Sequence, residues 1–258
     1  MIKIIDVDFL KLDEFRAFCE KDSFGTRIYS HFLSYGTKYN FVDFWVEIDE
    51  NNSISSAICR LESDFILCLS ENSQGDEISA FLNFQNMNSV TFNCIFDDKI
   101  NIVADKFFKG DVLTYYYDPN FKAQYPISTP DLKEYHNLLL TCESEDFFVP
   151  EYLQFLSDIR MRLNKNLCEL FGVVVDDTLV SCAMTVSQTE NSVILGAVAT
   201  HPMHRKHGYG GCVVKSLAQI FCDYDNVYIY TTIEKNTRFY ESLGFKVSGK
   251  WIKYTFGG

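Results

Sequence analysis

Between residues 205 and 211 the chain reads Arg205-Lys-His-Gly208-Tyr-Gly210-Gly211, three glycines within four positions beside two cationic side chains. An apolar run, Ser192–Ala197, precedes it and is brought to a stop by Pro202; the apolar-periodic residues Val213, Val214, Leu217, Ala218 and Phe221 follow. A buried strand, a glycine-rich turn and a helix start make a place for a phosphate. First-turn N–H groups have no intrahelical acceptor, and the aligned peptide dipoles make that end positive. Glycine lets the backbone approach the anion, while Arg205 and Lys206 add charge at the rim. Two common phosphate motifs fail on the residue that matters: the dinucleotide fingerprint needs glycine where Val213 stands, and a P-loop needs Gly-Lys-Ser where the chain has Val214-Lys215-Ser216. His201, His204 and His207 recur every third residue, but Pro202 and the loop prevent the helical pairing zinc uses. No nearby Cys or acid completes a set, so they are expected to be polar loop residues and no metal is expected.

The loop resembles the Arg-x-x-Gly-x-Gly/Ala signature of the GNAT superfamily of acetyl-CoA-dependent N-acetyltransferases, read here as Arg205-Lys-His-Gly208-Tyr-Gly210. A second stretch, Asn236-Thr-Arg-Phe-Tyr240-Glu-Ser-Leu-Gly244-Phe245, is similar to the family's later motif, a helix ending in Tyr-x-x-x-Gly-Phe. The resemblance implies an acyltransferase that moves an acetyl group directly from acetyl-CoA, its co-substrate, to a primary amine of a small molecule or peptide. The backbone N–H groups of Lys206, His207, Gly208, Tyr209, Gly210 and Gly211 would cradle the pyrophosphate, with Arg205 at the entrance. Val198, Ala199 and Thr200 would pair with the pantetheine arm where their strand splays from the next parallel one. Tyr240 would hydrogen-bond the sulfur and protonate or stabilise the departing thiolate; Asn236, four residues earlier on the same helical face, would bond the pantetheine or anchor the helix start. Tyr240 could instead pack its ring in the core, as Phe239 is expected to. Ser192–Thr200 contains no carboxylate, and Glu169, Glu190 and Glu234 are the acids near the predicted strands. No base is assigned, and the amine is expected to lose its proton through water. A non-catalytic CoA-binding sensor on the same fold, and a transferase of another short acyl group, stay open.

The elements that would position these residues can be read in order. Ile2–Val7 alternates like a strand, Asp8–Lys21 carries a helical stripe and Ser23–Ser34 reads as a second helix. Strands follow at Phe41–Ile48, Ile54–Leu61 and Phe65–Ser70, a short helix at Asp76–Phe84, and strands at Val90–Ile95 and Val112–Tyr117. Three of the five prolines fall within Asp118–Pro130, which reads as a linker. Thr129-Pro130-Asp131 then suits a helix start, with Thr129 as cap. Helices to about Thr141 and over Glu151–Leu163 precede strands Leu170–Val175, Leu179–Val186 and Val193–Thr200. The glycine-loop helix Gly208–Phe221, strand Val227–Thr232, helix Asn236–Leu243 and strand Lys250–Phe256 complete the chain.

The halves read alike, which predicts an α/β (α+β) protein of two GNAT-like domains, each a mixed, mostly antiparallel sheet flanked by helices. We expect residues 1–118 to form a degenerate N-terminal domain, 119–130 a linker and 131–258 the catalytic domain. In the first copy the loop position holds Glu71-Asn-Ser-Gln-Gly75-Asp-Glu77, one glycine and three acids, which would repel a pyrophosphate. The resemblance implies that acceptor specificity comes from 141–166 and the first domain.

Composition narrows the classes. A net charge of −12 argues against nucleic acid as the principal partner. No apolar run approaches the ~18 residues of a membrane span, and the N-terminus interleaves charges where a signal peptide would be apolar. The nine cysteines are scattered without a Cys-x-x-Cys pair, as suits reduced thiols in the cytoplasm. Oligomeric state is not legible.

Overall fold

The computed structural model describes residues 1–6, 9–144, 147–232 and 234–257. Val7 of the expected first strand and Asp8 of the expected first helix lie outside them. The chain divides into two compact units, Met1–Val112 with Ser248–Gly258, and Leu113–Val247. These bounds differ from the expected ones. The stretch 119–130, read as a linker, belongs to the second unit, and the last residues belong to the first. The physical reasons are the contacts each makes, described below.

The first unit runs β1 (Ile2–Ile4), α1 (Leu12–Cys19), α2 (Ser23–Tyr35), β2 (Val42–Ile48), β3 (Ile54–Leu61), β4 (Asp64–Leu69), α3 (Gly75–Asn83), β5 (Ser89–Asn93) and most of β6 (Lys106–Tyr115). β1 to β4 pair antiparallel in chain order, and β5 lies parallel to β4. The far edge of β5 is covered antiparallel by the chain's last strand, with Trp251 opposite Asn93 and Thr255 opposite Ser89. Ile252 of that strand is fully buried in one cluster with Phe65, Leu67, Ile78, Leu82 and Phe92. Alternation along the strands explains the core: each contributes every second apolar residue to one face. The helical stripe read at 8–21 shortens to α1 with Phe15 and Phe18 buried, while Leu12 is exposed.

The second unit runs α4 (Leu132–Leu140), α5 (Tyr152–Leu163), β7 (Leu170–Val175), β8 (Thr178–Gln188), β9 (Ser192–Thr200), α6 (Tyr209–Gln219), β10 (Asn226–Thr231), α7 (Glu234–Glu241) and the start of β11 (Phe245–Thr255). β7, β8 and β9 pair antiparallel; β10 is parallel to β9. α4 starts later than expected. Asp131, not Thr129, is its cap, accepting from the N–H groups of Lys133 (2.8 Å) and Glu134 (3.3 Å). The carboxylate serves two orphan donors at once. One apolar cluster joins Val193 and Leu195 of β9, Val213, Val214, Leu217 and Ala218 of α6, Val227 and Ile229 of β10, and Tyr240 of α7. A second joins α4 and α5 to β7 and β8 through Tyr135, Leu138, Phe155, Ile159, Leu170 and Cys182.

All nine cysteines are free thiols. Among the described residues no helix is long and apolar enough to cross a membrane.

Candidate functional site: a loop of unpaired N–H groups

β9 carries the first feature of the site. Cys182 of β8 stands opposite Ala199 and Met184 opposite Gly196, so two β9 residues, Ala197 and Val198, face Ala183 alone. This is a bulge, and Ala197 takes the left-handed φ of +46° that it requires. A non-glycine residue there is strained by about 1 kcal/mol or more, so neighbours must hold it. Tyr135, fully buried on α4, does so: its hydroxyl donates to Ala197 O at 2.8 Å. Pairing between β9 and β10 ends at Leu195 and Ile229. Val198, Ala199 and Thr200 therefore continue beyond the last β10 partner, and backbone groups on that side are left for something else to pair.

After β9 a short 3-10 turn, Pro202–His204, leads into the glycine loop. Lys206 and Gly208 hold φ of +68° and +84°, and Gly208 is the residue before α6. The Arg205 N–H donates to Pro202 O at 3.4 Å, and the next backbone N–H to find an acceptor is that of Cys212, which donates to Gly208 O at 3.0 Å. The N–H groups of Lys206, His207, Gly208, Tyr209, Gly210 and Gly211 have no acceptor among the described residues. Six consecutive orphan donors at a helix start, in half-buried to exposed positions, fit a polyanion such as the diphosphate of a nucleotide-bearing cofactor.

The glycines are required for packing as well as approach. A Cβ on Gly210 would sit 2.9 Å from Thr200 Oγ1 and 3.8 Å from Phe239 Cζ; one on Gly211 would sit 3.0 Å from Leu243 Cδ2. α7 thus lies against the loop, and the two stretches singled out in the sequence meet in space. Thr200 is held in turn by Ser181, their hydroxyls 2.8 Å apart. Arg205 turns back rather than toward the row of N–H groups: its Nε donates to Thr200 O (3.2 Å) and its Nη2 lies 3.6 Å from Cys142 Sγ. Its positive charge stays beside the loop while its donors brace the end of β9.

Tyr240, on the last turn of α7, is 8% exposed and belongs to the apolar cluster under α6. Its ring stands edge-on to Phe245 at 5.8 Å. Among the described residues nothing hydrogen-bonds its hydroxyl. Burial pushes the phenol well above the usual tyrosine value. Phe239, expected in the core, is instead 37% exposed, with its ring edge beside Gly210. The helix turns Tyr240 inward, and its neighbour, one residue back, faces the loop. Asn236 is exposed in the first turn and does not share Tyr240's environment. Thr237 takes the buried place, with its hydroxyl 2.8 Å from that of Thr231 at the end of β10.

The histidines and Tyr209 lie near one another, His201 edge-on to His204 and His207 stacked on Tyr209. His201 and His204 lie 5.6 Å apart, His207 and Tyr209 5.6 Å, and His207 Nδ1 is 3.2 Å from His204 O. Of the candidate acids, Glu234 is exposed and paired with Arg238, and Glu169 immediately precedes β7, its backbone N–H donating to Thr185 Oγ1. Tyr135, Ser181, Cys142 and Tyr125, whose hydroxyl donates to His207 O at 2.8 Å, were not legible beforehand. These act through contacts between distant residues, and no local spacing marks them.

The first unit has a loop of the same chain order, between β4 and α3, with different contents. The Gln74 N–H donates to both oxygens of Glu47 (3.0 and 3.2 Å), a fully buried carboxylate on β2 that Ser55 Oγ also bonds at 2.7 Å. A Cβ on Gly75 would be 2.0 Å from Lys99 O. Here the protein's own carboxylate and backbone cover the helix start.

Known proteins offer three points of comparison. Residues 170–253 match the family model described as FR47-like protein. No curated protein matches the sequence. In structure the chain is similar to a GNAT-family acetyltransferase from Colwellia psychrerythraea, at 11% identity and a TM-score of 0.61 over 100% of both chains. It is also similar to a tandem GNAT protein from the clavulanic acid biosynthesis pathway, at 13% identity and 0.64 over 99% of this chain and 97% of that one. A GCN5-related N-acetyltransferase from Sphaerobacter thermophilus gives 12% and 0.62 over 98% and 94%. Residues 170–253 are thus similar to the FR47-like family, and the chain as a whole has the fold of these GNAT structures.

Proposed function

We propose that the protein is an acyltransferase that moves a short acyl group, acetyl above all, from acyl-CoA directly to a primary amine of a small molecule or peptide in the cytoplasm. The observation that carries this reading is the row of six orphan N–H groups, Lys206 to Gly211, at the head of α6 beside the part of β9 that β10 leaves unpaired.

Acyl-CoA supplies the acyl group as an activated thioester. The protein's residues do the rest. The loop N–H groups and the dipole of α6 hold the diphosphate, with Arg205 and Lys206 adding positive charge. The backbone of Val198, Ala199 and Thr200 holds the amide-bearing arm as an added strand would. Tyr240, kept protonated by burial, donates to the sulfur as it leaves and takes no proton from the amine. The amine loses its proton to water. Asn236, exposed on α7, meets the arm at the rim rather than beside Tyr240. The first unit, its loop filled by Glu47, binds no acyl-CoA and serves as scaffold.

A second reading has its own support: Tyr240 is packed in an apolar cluster, as a residue kept only for packing would be. Under it the protein binds CoA without turnover, as a sensor.

The deciding experiment is calorimetric titration with acetyl-CoA of the wild type and of Gly210→Glu, which sets a charge and a side chain against Thr200 and the phosphates. We expect micromolar binding, weakened about 100-fold (~2.7 kcal/mol) in the variant. Binding without thiol release across a panel of amines would select the sensor reading. No binding by the wild type would sink both.

A further inference from the structure

The segment 118–127, between β6 and α4, lies along α6 from its end to its start. At the end of the helix Gln219 Nε2 donates to Asp118 O at 2.7 Å, and the Tyr115 hydroxyl donates to Gln219 Oε1 at 2.8 Å. One turn earlier Lys215 bonds the Asp118 carboxylate at 2.9 Å, its ammonium 4.7 Å from the Phe121 ring centre. At the helix start the Tyr125 ring lies 4.6 Å from that of Tyr209, the Cys212 thiol donates to Tyr125 O at 3.8 Å, and Gln124 Oε1 is 3.7 Å from where Gly208 would carry a Cβ. The last contact is the Tyr125 hydroxyl donating to His207 O at 2.8 Å.

That bond falls on a decisive atom. The His207 carbonyl and the Gly208 N–H belong to one planar trans peptide and point in opposite directions across it. A hydroxyl that holds the carbonyl on the Tyr125 side turns the Gly208 N–H, one of the orphan donors, the other way, away from Tyr125. Gly208, on one side of this plane, holds a φ of +84°, and Lys206, the residue before His207 on the other side, a φ of +68°. A lysine in that region persists only where its surroundings over-determine it. Without a partner for His207 O, this peptide is free to rotate and withdraw its N–H from the row.

We propose that Tyr125 is a positioning residue for phosphate binding. By holding His207 O it fixes the plane whose Gly208 N–H meets the diphosphate, and 118–127 is a strap that presets the loop. The proposal rests on the acyl-CoA reading and deepens it. Tyr125 touches no reacting atom, so its effect belongs to affinity for the phosphate end and not to the chemical step.

The test is Tyr125→Phe, which removes the hydroxyl and keeps the ring on Tyr209. Binding of CoA and of inorganic pyrophosphate is measured by calorimetry. The kcat and KM are measured with acetyl-CoA and with S-acetylpantetheine, which lacks the diphosphate. We expect the Kd for CoA and the KM for acetyl-CoA to rise about five- to tenfold, as for one lost hydrogen bond, with kcat unchanged. Kinetics with S-acetylpantetheine should match the wild type. By NMR, pyrophosphate should shift the Gly208 amide in the wild type and shift it less in the variant, which also reads the effect if turnover is absent. Equal CoA affinity in the two proteins overturns the proposal and leaves the acyl-CoA reading standing. An equal loss with S-acetylpantetheine, or a variant that unfolds, overturns it by showing a general structural role. A wild type that binds neither CoA nor pyrophosphate overturns both.

Discussion

Tyr240 is a phenol that cannot easily become a phenolate. Its surroundings are Phe239, Phe245 and the aliphatic residues of α6 and β10, and burial alone raises its ionisation above the tyrosine range. The charged form is the one disfavoured, so the proton stays on through the pH at which an exposed tyrosine, at about 10, would lose it. A group held protonated is a donor at every accessible pH. Two outcomes follow at this scale. Tyr240→Phe should lower kcat about 100-fold with the Kd for acetyl-CoA nearly unchanged, measured with chemistry limiting. The wild-type pH profile of kcat should show no falling limb near pH 10; such a limb would place the hydroxyl in a solvated site. The loop and the tyrosine were both legible in the sequence, because glycine spacing and a helix ending in glycine are local patterns. Which of Phe239 and Tyr240 faces the core was not. That depends on the angle at which α7 meets α6, set by Gly211 against Leu243 and by the bond between Thr231 and Thr237.

At the scale of elements, the bulge in β9 and the strap along α6 show what periodicity leaves out. β9 reads in the sequence as a continuous apolar strand, Val193–Thr200, and the structure starts it one residue earlier, at Ser192. The inserted residue in it leaves no mark, since Ala197 and Val198 are as apolar as their neighbours. Its stability comes from Tyr135, more than sixty positions earlier. Tyr135→Phe should cost about 1–2 kcal/mol, because the Ala197 carbonyl is left without its buried donor. Chemical denaturation reads that cost. A weaker Kd for acetyl-CoA in the same variant would show the bulge relaxing. An unchanged stability would mean that the bulge holds itself. The strap was misread as a linker for a related reason. Pro119, Pro126 and Pro130 mark it as irregular, and irregular segments look alike whether they hang free or lie bonded along a helix. Glu47 belongs here too: one acid on a strand gives no hint that it ends fully buried at the start of α3.

At the scale of the whole molecule, two units of one plan share the order of their elements, as the alternation of strands and helices foretold. The exchange of the final strand was not foretold, because Lys250–Phe256 reads equally well beside the strands of either unit. Its partner is β5 of the first unit, and Ile252 is fully buried there. Ile252→Ala should destabilise the first unit by about 2–5 kcal/mol. Hydrogen exchange checks this: amides of Val90 to Phe92 should lose protection while those of β9 and β10 keep theirs. Equal losses in both would show that the units unfold as one.

The same strand exchange sets the order of events on the ribosome. The first unit is the first to be made, yet the edge of β5 stays bare until Trp251 to Thr255 have been translated, after every strand of the second unit. Throughout that interval the nascent chain displays an unpaired edge, the kind of surface that recruits chaperones or a neighbouring copy. A stop codon or a protease cut before residue 251 would therefore leave the oldest part of the protein unfinished, and quality control would see the fault at the opposite end of the chain from the lesion.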